Sequence, residues 1–173
     1  RLLQGDVGSG KTLVALMALL VAVEAGGQAV MMAPTSILAG QHYLNLKPLA
    51  DAAGVVCEIL TGADKGAERR AKLAALANGD IHILVGTHAV FQDDVAFGDL
   101  RLAIVDEQHR FGVRERVRLS QKGEAADILV MTATPIPRTL SLAQYGDMDL
   151  SVLDEKPPGR TAVKTALIST TRI

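Results

Sequence analysis

Tryptophan is absent from this 173-residue chain, which holds only two tyrosines and three phenylalanines. Hydrophobic residues nevertheless make up 49% of it, so the core has to be built from Ala, Leu, Val and Ile. Excess charge is absent too. With 18 basic and 19 acidic residues the net charge is −1, which removes any global electrostatic case for nucleic-acid binding. A DNA contact would have to come from local motifs. The lone cysteine, Cys57, excludes an internal disulfide and fits a reducing, cytoplasmic setting. It lies in an apolar run and reads as a small buried residue.

No signal peptide is present, and the longest apolar run, Leu13 to Val23, is 11 residues, too short to span a bilayer. No membrane association is expected. His42, His82, His88 and His109 show no metal-site spacing among themselves or with Cys57. His42 and His82 read as surface or packed residues. The chain lacks an initiator methionine and opens inside an apparent strand, as expected of a piece cut from something longer.

What is present begins at residue 5. Gly5-Asp6-Val7-Gly8-Ser9-Gly10-Lys11-Thr12 is a complete G-x-x-x-x-G-K-[ST] loop between an apolar strand end and an unbroken helical run. The glycines let the backbone wrap a polyphosphate, and the loop N–H groups and helix N-terminus supply positive potential. Lys11 and Thr12 are placed to reach phosphate and Mg²⁺. The pattern predicts binding of a nucleoside triphosphate.

Strand and helix signals then alternate. After the helix closed by Gly26-Gly27, Gln28–Ala33 reads as a strand stopped by Pro34. Thr35 or Ser36 can cap a helix from Ile37 to about Ala53, with a kink or break expected at Pro48. Val55–Leu60 is a third strand, Asp64–Ala77 a helix closed by Asn78-Gly79, and Ile81–Val85 a fourth strand. Leu100–Val105 and Ile128–Met131 are a fifth and sixth. Pro157-Pro158-Gly159 reads as a turn before a last strand, Thr161–Ile168. Continuous aliphatic strands alternating with helices imply one α/β domain over 1–173, with a mostly parallel sheet covered on both faces. Ligands of such sheets bind at the carboxyl ends of the strands.

Asp106-Glu107 ends the fifth strand after four apolar residues, Leu102 to Val105, the pattern of a Walker B strand. The first carboxylate would face the Mg²⁺ held with Thr12, and the second would polarise the attacking water.

The run Asp106-Glu107-Gln108-His109-Arg110-Phe111-Gly112-Val113, with Thr132-Ala133-Thr134-Pro135 after the sixth strand, resembles superfamily 2 helicases. More narrowly the chain looks like the RecG family of ATP-dependent branched-DNA translocases. Gln108, Ser9 and Gly86-Thr87-His88-Ala89-Val90-Phe91-Gln92 favour it over the transcription-repair coupling (Mfd) family. A non-motor P-loop switch or kinase is the remaining alternative, disfavoured by Thr132-Ala133-Thr134 and by the lack of a lid segment. The resemblance implies the first of two RecA-like motor domains, using ATP and Mg²⁺ to remodel branched, forked or junction DNA. Lys11, Asp106 and Glu107 would be catalytic. Pro34 and Thr35 (motif Ia) and Gly86, Thr87 and His88 (motif Ib) would lie on the DNA side. Thr132 and Thr134 would couple hydrolysis to movement through Gln108 or His109. A second RecA-like domain and a wedge domain would be partners in the same polypeptide, without which the isolated piece should turn over almost no ATP. Ser36 and Gly40 depart from the family, which usually carries acidic residues there.

Arg110, Arg114, Arg116 and Arg118 suit a solvated loop face slightly better than a DNA contact, because Glu115 interrupts them. Arg138 suits a DNA contact or an ion pair equally. Phe91 suits the core better than base stacking.

Overall fold

The computed structural model describes residues 1–106, 119, 121–123, 126–134 and 148–155. Seven strands form one sheet: β1 (Leu2–Gly5), β2 (Gln28–Met32), β3 (Cys57–Leu60), β4 (Ile83–Gly86), β5 (Leu100–Asp106), β6 (Asp127–Thr132) and β7 (Leu150–Leu153). Their order is β3-β4-β2-β5-β6-β1-β7, and every pairing is parallel. Three helices, α1 (Lys11–Glu24), α2 (Ser36–Ala52) and α3 (Gly66–Asn78), connect the early strands.

Parallel strands need coverage on both faces, and successive residues serve the two faces in turn. One layer gathers Leu3, Met31, Ile83, Val85, Ile104 and Met131 with Leu16 and Leu19 of α1 and Ala39 and Leu46 of α2. The other takes the alternate positions Leu2, Val30, Leu84, Ala103, Val105 and Val130, with Leu76 of α3. The core is aliphatic, as the composition requires. Phe91 is buried in it at the end of a 3₁₀ turn, His88–Phe91, so it packs and does not present its ring to a base. Cys57 is fully buried, and burial pushes its thiol up to about 11.

Two elements differ from the sequence reading. The α2 helix runs through Pro48 without a break. Leu46 and Ala50, on either side of the proline, are both buried against the sheet, and that anchoring outweighs the lost backbone hydrogen bond. The β7 strand was not expected at all. It adds to β1 at the sheet edge with alternating half-exposed residues, a weak apolar signal. The expected turn at 157–159 and strand at 161–168 lie outside the described residues. Among the described residues no helix is long and apolar enough to cross a membrane.

At the foot of β2, buried Gln28 ties three elements together. Its amide nitrogen donates to the carbonyls of Leu76 (2.8 Å) and Ile81 (2.6 Å), and its oxygen accepts from the Asp99 N–H (2.9 Å). The buried amide is thereby satisfied from α3, the β4 approach and the β5 approach.

Candidate nucleotide site

The strand order brings the sequence motifs together. β6 lies between β1 and β5, with Leu3 opposite Met131 and Met131 opposite Asp106. The P-loop strand and the acidic strand are therefore two strand spacings apart, about 10 Å. Asp106 shares the parity of Ile104, whose side chain packs on the α1 and α2 layer. It consequently leaves the sheet on the face where α1 begins at Lys11.

The loop itself is shaped for an anion. Gly8 and Gly10 sit at φ 82° and 93°, a region open to glycine. A Cβ on Gly5 would collide with the Ser9 hydroxyl. The Val7 N–H donates to Asp6 Oδ1 (2.8 Å) and the Ser9 N–H to the Asp6 carbonyl (3.1 Å), which closes the turn. The N–H groups of Gly8, Gly10, Lys11 and Thr12 have no backbone acceptor among the described residues. The α1 N-terminus carries no side-chain cap and no acidic residue in its first turn, so its positive end is uncompensated. Lys11 Nζ donates to the carbonyls of Gly5 (2.6 Å) and Asp6 (2.8 Å). An ammonium has three donors, so one remains for a phosphate oxygen. Ser9 Oγ is buried and has no hydrogen-bond partner among the described residues. Free donors, an orphaned hydroxyl and a cation held at the loop fit a polyphosphate. Thr12 and Asp106 offer hard oxygen atoms of the kind that suit Mg²⁺.

One contact was missed by the sequence reading. His42 Nε2 lies 2.5 Å from Asp106 Oδ2, with the two side chains only 11% and 13% exposed. His42 belongs to the buried stripe of α2, Ala39-His42-Leu46-Ala50. A single imidazole among small and aliphatic residues at helical spacing was the available signal. His82 is half-buried near the surface, and its Nδ1 accepts from the Val56 N–H at 2.9 Å.

The other predicted residues line the same carboxyl edge. Thr35 caps α2 by accepting from the Leu38 N–H (3.3 Å), and it is exposed beside half-buried Pro34. Thr87 is half-buried and His88 exposed after β4, whereas Gly86 is buried within the strand. Thr132, 4% exposed, caps a turn: its Oγ1 accepts from the Thr134 N–H at 3.1 Å. Thr132 sits opposite Gln4, so it lies between the P-loop strand and the acidic strand. Glu107, Gln108 and His109, the arginines at 110, 114, 116 and 118, and Arg138 lie outside the described residues.

The family model for DEAD/DEAH box helicases matches residues 1–143. The chain is 52% identical to the ATP-dependent DNA helicase RecG of Pasteurella multocida (strain Pm70), covering 99% of this chain and 25% of that protein. It is 54% identical to RecG of Bacillus subtilis (strain 168), covering 95% and 24%. A solved structure of RecG bound to a three-way DNA junction superimposes with a TM-score of 0.82 at 48% identity, over 99% of this chain and 23% of that one. The chain thus spans about a quarter of the length of the curated relatives it matches.

Proposed function

The chain belongs to the DEAD/DEAH box helicase family, and from that premise we propose that it is the first RecA-like motor domain of a cytoplasmic ATP-dependent DNA helicase. The intact protein would remodel forks and junctions with a second RecA-like domain and a wedge domain. The observation that carries the reading is the placement of the P-loop and Asp106 on one face and one edge of the sheet, two strands apart. A RecG bound to a three-way junction supports branched DNA as the substrate class.

In this reading Mg²⁺·ATP supplies the scissile anhydride and the cation's charge. The N–H groups of Gly8, Gly10, Lys11 and Thr12 orient the phosphates, and Lys11 balances their charge at close range. Thr12 and Asp106 would hold the metal, and Glu107 would accept a proton from the attacking water. The second motor domain would contribute the remaining charge stabilisation, of the kind that an arginine finger supplies in P-loop GTPases, worth about 10³-fold or more. Pro34, Thr35, Thr87 and His88 would track phosphates of the DNA backbone, which sets position without reading sequence, while Gly86, buried in β4 between β2 and β3, supports that loop from inside the strand and makes no such contact. Thr132 and Thr134 would link the two sites through Gln108 or His109.

The test is nucleotide binding by the full-length protein. Lys11→Ala should abolish binding of a fluorescent ATP analogue, while its melting temperature stays close to wild type. Equal binding by calorimetry in both proteins would sink the assignment.

A further inference from the structure

The contact between His42 and Asp106 joins two parts of the domain that the sequence motifs treat separately. Asp106 is the carboxylate at the tip of β5, and His42 lies in α2, the helix that starts at the exposed Thr35. From Thr35 to His42 is two helical turns, about 10 Å along the axis. Ala39, Leu46 and Ala50 pin that helix to the sheet on both sides of the imidazole. His42 Nε2–H donates to Oδ2 at 2.5 Å, which leaves Oδ1 for a cation. Carboxylates that bind metals are commonly held by such an outer hydrogen bond, which sets their orientation. The pair is also enclosed, so neither group has ready access to water as a substitute partner.

We propose that His42 is a positioning residue: it holds Asp106 in its cation-binding orientation and connects that carboxylate, through the rigid first half of α2, to the loop Pro34-Thr35 on the DNA-facing edge. A shift of the α2 N-terminus on DNA would move the imidazole and with it the metal carboxylate. This inference rests on the nucleotide-site reading above and adds to it a route between the two ligands.

The experiment titrates Mg²⁺ against binding of a fluorescent ATP analogue to the full-length protein, with and without forked DNA. Four proteins are compared: wild type, His42→Leu, His42→Gln and Lys11→Ala. His42→Leu, which keeps side-chain bulk but loses the donor, should raise the Mg²⁺ concentration at half-saturation about tenfold and abolish the effect of DNA on it. His42→Gln, which can place an amide N–H near the position of Nε2, should stay within about threefold of wild type and keep the DNA effect. A filler role would give the opposite ranking, with Leu closer to wild type than Gln. Wild-type or lower Mg²⁺ half-saturation in His42→Leu, or equal shifts in Leu and Gln, would overturn the positioning role. A wild-type protein whose Mg²⁺ dependence ignores DNA would overturn the route through α2. If His42→Leu does not accumulate as folded protein, His42→Phe, which keeps a ring without a donor, is read by the same criteria. Retention of nucleotide binding by Lys11→Ala would instead overturn the nucleotide-site reading itself.

Discussion

Gly86 and Leu60 approach each other so closely that a Cβ on Gly86 would overlap the Leu60 carbonyl oxygen and crowd Val90 Cγ1. The two residues are register partners in β4 and β3, so neither backbone can yield without breaking the ladder. Gly86→Ala should therefore destabilise the domain by about 2 kcal/mol through overpacking. Its neighbour His88 is exposed, and His88→Ala should weaken DNA binding with no change in stability. Urea unfolding and DNA binding on both variants check this pair of outcomes. An unchanged midpoint for Gly86→Ala would show that the strand has room the geometry denies.

The two acidic residues should separate by role. In the full-length protein Glu107→Gln should bind Mg·ATP and stall hydrolysis, because the amide keeps the size and loses the basicity. Asp106→Asn should weaken the Mg²⁺ dependence of binding. Loss of binding to the same degree in both would defeat the division.

Thr132 and Thr134 carry a sharper question now that the turn is visible. The Thr132 hydroxyl already accepts from the Thr134 N–H, so part of its role is to hold the turn. Replacing both with Ala should cost about 1 kcal/mol of stability for that hydrogen bond. If they also couple hydrolysis to movement, ATPase should survive while fork unwinding falls. ATPase, unwinding and melting temperature on one double variant decide it. Losses of equal proportion in all three would leave only the turn.

A charge pair between α3 and the loop after β3 predicts a pH signature. Lys72 Nζ meets Asp64 Oδ1 at 2.6 Å, and the Thr61 N–H donates to Asp64 Oδ2 at 2.7 Å. Burial by itself would raise the Asp64 pKa. The hydrogen bonds from Lys72 and Thr61 outweigh it and hold the carboxyl below its ordinary value. A carboxylate depressed on folding contributes stability above its unfolded value, near 3.9, and loses it as pH falls through the lower folded value. Lys72→Met should thus destabilise by about 2 kcal/mol at pH 7. The difference from wild type should shrink below about pH 4, where Asp64 of the variant is neutral. Urea midpoints at pH 7 and pH 3.5 test the sign, and a constant difference would contradict it.

Much of this was readable in the chain because burial on both faces writes itself as unbroken aliphatic runs. QAVMM, ILVG and LRLAIVD needed no partner to be recognised as strands, and the P-loop announced its own chemistry. LSVL at 150–153 was passed over because an edge strand buries only part of each residue and pairs with a partner far away in sequence. Pro48 argued for a break by local rules, and packing of Leu46 and Ala50 overruled them. His42 reads by local rules as a surface or packed residue. Its role depends on where β5 ends relative to α2, and no local pattern contains that.

The strand order also dictates a sequence of events during synthesis. β2 to β5 occupy adjacent places, so they can form a sheet as soon as residue 106 emerges. β1 precedes them in the chain but finds both its neighbours only in β6 and β7, with Leu2 opposite Val130 and Leu150. At roughly 5–20 residues per second, the 128 residues from Leu2 to Val130 (130 − 2) take the ribosome about 6–26 s. Over that interval neither sheet partner of the strand that carries the phosphate loop is available to it. Within this domain the phosphate loop therefore precedes in the chain both strands that flank its own strand in the sheet.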